Sequence, residues 1–593
     1  MSTPRPYYEE KVASYTARLD EVRKRLTLLA TLRLILFIGL CVALYHLFPS
    51  FPLPMTGLTL ILLAGFILLV NIYFRLKDQK ALLEKQLFVC SNELAVLAHQ
   101  PNSFPDGKDH LDSYSYLDDL DIFGPRSLFH LLNRTTTSHG KGRLASLLRT
   151  PLLSKPGIQQ QQQAIRVLNT QPEKCQLLTA KGLLAEEKEG NLHSLTGWLS
   201  SPSRIYDNNG LSILRWLLVA FNLFGIGFYL ATDNYLPMLA GIAVSWGLTG
   251  RFLSYISAQH QLISKKQAIL DQYAAVIAVF NTIDTKDAAL LQEEQSCTVN
   301  AHRAIRRLSQ LAGFFDQRMN ILVNIFLNSF LLYDLQVMAA LEKWKVSYKD
   351  KFHEWIEAVG NIESLNSLAS FSFNNPSFTF PLPVEGQDLR IETTGLAHPL
   401  IPAAERIAND CTVGLSQRLI LVTGSNMSGK TTFLRTIGVN LLLGQCGAPV
   451  CATSFSFTPM QLLTSLRVSD SLQEHTSYFM AELKKLQRII HHLREGIPSL
   501  VLIDEILRGT NSEDKTYGSE QFIRKLLQYP CLSFFATHDL SLGSLEQELP
   551  GEVSNLCFES VIEGDELHFD YRLQKGIARN RNASFLMKKM DII

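Results

Sequence analysis

Residues Gly424-Ser-Asn-Met-Ser-Gly-Lys-Thr431 spell G-x-x-x-x-G-K-[ST], and their setting decides what kind of domain they belong to. The apolar run 418–423 just before them is expected as a short strand, and 431–443 just after them has helical periodicity. In a strand–turn–helix setting, the backbone N–H groups of the turn and the helix N-terminus converge on one point and hold phosphate. Lys430 then neutralises the β- and γ-phosphates, and the Thr431 hydroxyl is placed to ligate Mg²⁺. The candidate nucleotide-binding positions are Gly424, Ser425, Asn426, Met427, Ser428, Gly429, Lys430, Thr431 and Thr432.

Outward from this loop, strands alternate with helices. Leu500-Val-Leu-Ile-Asp504-Glu505 is an apolar strand that delivers two carboxylates to its C-terminal end. Asp504 is assigned to Mg²⁺ through water, and Glu505 to polarising an attacking water. A third strand, 532–536, runs into Thr537-His538-Asp539 and brings a histidine within reach of a γ-phosphate. Residues 555–560 and 567–573 have the pattern of an antiparallel hairpin. Strands separated by helices imply a mostly parallel sheet with its ligand at the strand C-termini. Lys430, Glu505 and His538 are thus the candidate catalytic residues, Thr431 and Asp504 the candidate metal ligands, and ATP with Mg²⁺ the expected cofactors.

Together these motifs resemble the MutS family of mismatch-repair ATPases, a branch of the ABC-type ATPases. The resemblance is strongest from Ile391 onward. Thr423-Gly-Ser-Asn-Met-Ser-Gly-Lys-Thr-Thr432 is similar to the family's long phosphate loop. Asp504-Glu-Ile-Leu-Arg-Gly-Thr-Asn-Ser-Glu-Asp514 resembles its Walker B and D-loop run. Ser477-Tyr-Phe-Met-Ala-Glu482 resembles its signature loop, with Asp470 at the acidic position ahead of it. Gly576-Ile-Ala-Arg-Asn-Arg-Asn-Ala-Ser584 is similar to its closing segment. Upstream, 128–147 and 151–165 look like the start of the family's helical core, and 362–371 like its return.

The signature segment also has its own physics. Ser477 is placed to cap an amphipathic helix bearing Phe479, Leu483, Leu486, Ile490 and Leu493 on one face, and a hydroxyl at a helix N-terminus is an anion site. The resemblance implies that Ser477 serves the ATP of the opposite subunit, hence a homodimer through the ATPase domains, and it implies double-stranded DNA as a partner. It places Ile407 in the adenine pocket; Arg406 stands where an aromatic stacker is expected, and its guanidinium can stack instead.

The departures are equally specific. An apolar hairpin stands ahead of the core, and a second one occupies the place of the family's DNA clamp. Phe352-His-Glu354 spells the family's mismatch wedge but lies inside a charged helix and is taken as coincidence. Lys575, Arg579, Arg581, Lys588 and Lys589 form a basic stretch assigned to a solvated face rather than to phosphate contacts.

The 593 residues carry 56 Lys+Arg against 55 Asp+Glu, a net charge of +1, which excludes a strongly basic nucleic-acid-coating protein. Hydrophobic residues are 46% and charged residues only 19%, so the chain is not disordered throughout and part of it suits lipid. Nine cysteines, none at CxxC spacing, are read as free thiols of a reducing compartment without structural zinc.

Four apolar runs, 34–48, 58–74, 216–231 and 236–250, form two pairs. Each is short against the ~20 residues that cross a ~30 Å core, a deficit that flanking Arg and Lys absorb by snorkelling. Arg and Lys flank both pairs on the outside, with none in 49–57 or 232–235. The positive-inside rule therefore puts both tips outside and the bulk in the cytoplasm. A fifth run, 321–333, carries Asn324 and Asn328 on one face and is expected as a buried core helix, because two amides in lipid are costly.

The fold class expected is multidomain: a helical core and lever domain with two transmembrane helical hairpins, plus a C-terminal α/β P-loop ATPase domain of ABC type. By position this gives an N-terminal cytoplasmic segment (1–33), hairpin 1 (34–74), a linker (75–115) and a helical core (116–210). Hairpin 2 (216–250), the lever and core return (251–373), a linker (374–390) and the ATPase domain (391–593) follow. The function expected is a multi-pass, membrane-anchored, dimeric ATPase of mismatch-repair type. The alternatives are a mechanochemical membrane ATPase that no longer binds DNA, and an ABC-type transporter.

Overall fold

The computed structural model describes residues 3–47, 53–111, 115–185, 191–386, 388–414, 417–467, 478–507, 510–563 and 566–579. It is mostly helical, with an α/β domain at the C-terminus. Helices α1 (Pro4–Leu47) and α2 (Leu53–Leu97) run antiparallel: Phe37 meets Phe66, Arg33 covers Tyr73 and Gln86 reaches Tyr15. The expected linker from 75 is helical as far as Leu97. The reason is packing: Leu83 and Cys90 are buried against Tyr8, Tyr15, Leu19 and Val22 of α1. The two helices thus form one rod, with exposed aliphatic side chains at the loop end and a polar surface at the other.

The core follows with α3 (Tyr116–Asp119), α4 (Leu128–Leu132), α5 (Ser138–Arg149), α6 (Lys155–Asn169), α7 (Pro172–Gly182) and α8 (Asn191–Ser200). A hydroxyl caps α5: Thr137 Oγ1 accepts from Gly140 N–H at 3.0 Å. Next come α9 (Asn209–Thr232) and α10 (Leu236–Ile263), then α11 (Gln267–Phe280), α12 (Ala289–Thr298), α13 (Ala301–Asp316), α14 (Ile321–Leu331) and α15 (Tyr333–Asn374). Between α10 and α11 the chain turns at Lys265, whose φ is +58° and whose N–H donates to Asp316 Oδ2 at 2.9 Å.

Helices α1, α2, α9 and α10 are long and apolar enough to cross a membrane. The expectation of a buried core helix at 321–333 is overturned. In α14, Ile321 and Leu322 are 72% and 80% exposed, whereas Asn328 is buried. The amides are satisfied inside the protein, by each other and by the Asp334 N–H, which frees the apolar side chains to face outward.

The 42-residue α15 ties these parts together. Near its start, Glu342 accepts from the N–H groups of Arg204, Ile205 and Tyr206 at the base of α9, and from Tyr255 Oη of α10. In its second half, Glu363 accepts from Thr136 and Thr137 ahead of α5. At its end, Asn374 donates to Glu93 of α2 at 2.6 Å and accepts from Tyr8 Oη of α1 at 2.9 Å. Glu93 also binds Arg134 through Nη2 at 2.9 Å, and both side chains are almost fully buried. Glu93→Ala leaves that guanidinium buried without its counter-charge, a change expected to cost about 3–5 kcal/mol. Thermal unfolding of the purified protein should show a clear drop in midpoint; an unchanged midpoint would mean that the pair is not buried.

The C-terminal domain has two sheets. The smaller, in order β1-β5-β2-β3, uses β1 (Leu382–Pro383), β2 (Arg390–Leu396), β3 (Asn409–Gly414) and β5 (Ser454–Phe457), so the expected linker 374–390 contributes its edge strand. The larger, in order β10-β9-β4-β8-β7-β6, uses β4 (Leu419–Gly424), β6 (Gln461–Ser465), β7 (Ser499–Asp504), β8 (Cys531–Thr537), β9 (Val553–Glu563) and β10 (Glu566–Lys575). All its pairings are parallel except β9–β10. Helices α16 (Lys430–Gln445), α17 (Tyr478–Leu493) and α18 (Ser512–Leu526) follow β4, β6 and β7.

Candidate functional site

The three central strands β4, β8 and β7 are buried along their whole lengths and end at one edge. Their register pairs Thr423 with Thr537 and Asp504 with Ala536. The glycine loop after β4, the acidic pair after β7 and His538 after β8 therefore emerge side by side, as ligand-binding residues do at the C-terminal edge of a parallel sheet.

The loop needs its glycines. Gly424 has φ +155° and Gly429 φ +103°, and a Cβ on Gly424 would stand 2.9 Å from the Phe558 carbonyl oxygen. Lys430 opens α16 with its side chain folded back over the loop, donating to the carbonyls of Gly424 and Ser425, both at 2.9 Å. The next residue, Thr431, donates its hydroxyl to Asp504 Oδ2. Two hard oxygen donors thus meet at one point beneath the loop.

Glu505 has φ +50°, a left-handed conformation that turns its carboxylate out of the strand direction, while its N–H still donates to Ala536 O at 3.0 Å. Its Oε1 lies 3.0 Å from His538 Nε2, and Lys515 stands 4.0 Å from Oε2. The same His538 nitrogen is 3.3 Å from Lys430 Nζ. Burial and the Lys430 charge push the His538 pKa below its usual range, against the opposite pull of Glu505. The imidazole is therefore neutral at pH 7.

These groups line a cavity of about 890 Å³, which also takes in Asn426, Met427, Thr432 and Ile407. Ser477 and Asp470 lie outside the described residues, as do Arg581, Lys588 and Lys589. Arg406 borders the cavity with its guanidinium already engaged. Its Nε donates to Ile401 O, its Nη2 to Pro399 O at 3.1 Å, and its guanidinium already lies over Phe378.

Among the cavity residues that the sequence does not single out, three stand out. Tyr571 places its ring edge where a Cβ on Gly429 would be only 3.1 Å away. It sits at an irregularity of the β9–β10 ladder with φ +53°, and Asn409 holds that bend by donating to Tyr571 O and accepting from Leu573 N–H. Strand alternation carries no signal for such a residue. The other two are Arg435 and Arg467, both bound to Asp121 of the core. Beside them Asp119, fully buried, accepts from Thr464 Oγ1, the N–H groups of Leu466 and Arg467, and Lys485 Nζ at 2.7 Å. The core thereby grips the strand and the helix on either side of 468–477.

Residues 420–588 match the family model of MutS domain V. The chain is 28% identical over 261 residues to the DNA mismatch repair protein MutS of Thermotoga maritima, covering 42% of this chain and 32% of that protein. The same figures hold for the DNA mismatch repair protein MutS of Thermotoga sp. strain RQ2. The matched region thus spans about a third of the length of these curated relatives.

Proposed function

We propose that this chain, a member of the MutS family through its C-terminal domain, is a membrane-anchored ATPase that works as a homodimer. One observation carries the reading: Lys430, Thr431, Asp504, Glu505 and His538, from three separate strand ends, converge in a single cavity at the glycine loop. The cavity fits its proposed occupant. Its volume of about 890 Å³ falls within the ~300–1,000 Å³ of small-molecule sites, and a hydroxyl beside a carboxylate is the hard-oxygen donor set that Mg²⁺ takes.

When bound, Mg²⁺ supplies neutralisation of the charge that develops on the β- and γ-phosphates. The chain's own residues do the rest. Loop N–H groups and Lys430 hold the phosphates, while Thr431 and Asp504 fix the metal's position. Glu505 orients and deprotonates the attacking water, and neutral His538 holds the Glu505 carboxylate in place through their 3.0 Å contact. The rate is expected to stay level from neutral pH through the ordinary range of histidine titration and to fall only at lower pH, as His538 protonates. A pH–rate profile checks this, and His538→Ala should lose the acid limb; an identical limb in that variant would assign it elsewhere. Tyr571 and Ile407 offer an aromatic and an aliphatic surface to the base. Tyr571→Ala is expected to weaken ATP binding by about 1 kcal/mol, roughly fivefold, in a titration with a fluorescent ATP analogue. Unaltered affinity would remove the ring from the site.

Met427, 77% exposed at the cavity rim, marks the side on which the partner's signature segment would close. α1–α2 and α9–α10 anchor the protein in the bilayer with the ATPase and core in the cytoplasm. Through Glu342, α15 connects ATPase-driven motion to α9–α10. The relatives' names favour DNA as a ligand. The place of the DNA clamp, however, is taken by helices whose exposed surface is Trp216, Leu217, Phe224 and Leu230, which suits lipid and not phosphate. We therefore favour mechanical work on the membrane over mismatch reading. ATPase activity of the detergent-purified protein, with and without homoduplex and mismatched DNA, separates the two. Stimulation by mismatched duplex that fades with salt would favour repair; indifference to DNA would favour the membrane.

A further inference from the structure

We propose that α14 is a re-entrant helix seated in the cytoplasmic leaflet, through which α15 acts on the lipid. This deepens the membrane reading of α9–α10 and rests on it.

The helix Ile-Leu-Val-Asn-Ile-Phe-Leu-Asn-Ser-Phe-Leu carries no charge. Ile321, Leu322, Ile325 and Phe326 are between 49% and 80% exposed, side by side on its outer face, and Met319 just ahead of the helix is exposed as well. An apolar patch of this kind on a water-facing surface is unfavourable and marks a contact with something apolar. The inner face is polar and satisfied. Ser329 Oγ accepts from Trp246 Nε1 at 3.0 Å, and Asn328 Oδ1 accepts from the Asp334 N–H at 2.9 Å.

The C-terminal end of the helix is the telling part. The last carbonyls of a helix lack partners within it, and in hydrocarbon no water replaces them. Here Asn222 Nδ2, from the middle of α9, donates to both Ser329 O and Phe330 O at 3.2 Å, and to Ser245 Oγ of α10 at 2.9 Å. A buried side-chain amide from the apolar section of the hairpin thus caps the end of α14. Such a cap is redundant at a water-exposed terminus and required at one that ends in lipid.

Length and direction agree. Eleven residues make about 16 Å of helix, half of a ~30 Å hydrocarbon core, so α14 enters without crossing. At Leu332, with φ +49°, the chain turns by 82° into α15. The outer face of α14 continues the exposed apolar surface of α9 and α10, against which it packs. Arg251, exposed, marks the headgroup level on α10. The occupant that this continuity selects is phospholipid acyl chain. Because α15 follows directly and runs to the ATPase domain, any tilt of α15 changes how deeply α14 sits.

The test uses the full chain in nanodiscs, with the exposed cysteines removed as Cys41→Ala and Cys297→Ser. An environment-sensitive fluorophore is attached through Leu322→Cys or, separately, Phe326→Cys. Leu217→Cys reports on the proposed spans and Arg307→Cys on water. Acyl-chain-brominated lipid is expected to quench the label at 322 and 326 as strongly as at 217, with iodide ineffective at all three. Quenching at 217 combined with water-like behaviour at 322 and 326 would overturn the re-entrant helix and leave the membrane reading intact. Water-like behaviour at 217 as well would overturn both. Shielding of 322 and 326 from both quenchers would mean that a second copy covers the face, and would also overturn the proposal.

Discussion

Glu505→Gln is expected to bind Mg-ATP with near-normal affinity while hydrolysing it about 10²–10⁴-fold more slowly. The amide keeps the shape of the carboxylate and its contact with His538, so the cavity survives. It cannot accept a proton from water, so the chemical step is lost. Glu505 lines the cavity from the end of β7, beside His538, and so comes from a different strand end than the glycine loop and Lys430. That is why binding and turnover should separate here. Single-turnover hydrolysis beside a nucleotide titration measures both. Wild-type turnover would give the proton transfer to another group, and loss of binding would make Glu505 a structural part of the pocket.

Lys430→Ala should do the reverse and remove binding itself. Lys430 is 5% exposed and its ammonium is held by two loop carbonyls, so it is already buried at the loop before nucleotide arrives. Removing one partner of a buried charged contact costs about 2–5 kcal/mol, which predicts at least a thirtyfold loss of ATP affinity and no measurable hydrolysis at micromolar nucleotide. Calorimetric titration gives the affinity. Retained affinity would mean that the phosphates are held by loop N–H groups alone.

The sequence made the ATPase domain legible because its signals are local. A buried strand, a glycine turn and a helix occupy consecutive residues, and the parallel register then fixes where Asp504, Glu505 and His538 must emerge. Tyr571 escaped notice because it owes its place to a bulge and to Asn409, more than a hundred residues earlier. Asp119 and Asp121 escaped for the same reason: nothing in a short helix far upstream says that it grips the strand before 468–477. Arg406 looked free to stack because the competing carbonyls of Pro399 and Ile401 lie in a loop without periodicity. The run 321–333 was misjudged by counting its amides as a cost. In the fold they are paid for by Asp334 and by each other, and the apolar face that remains is what meets the surroundings.

The most direct test of the account is the mass of the Glu505→Gln protein in detergent, measured by light scattering with and without saturating Mg-ATP. The proposed homodimer predicts a shift from monomer to dimer on adding nucleotide, with the second chain closing over the exposed Met427. A protein that binds the nucleotide and stays monomeric would contradict it.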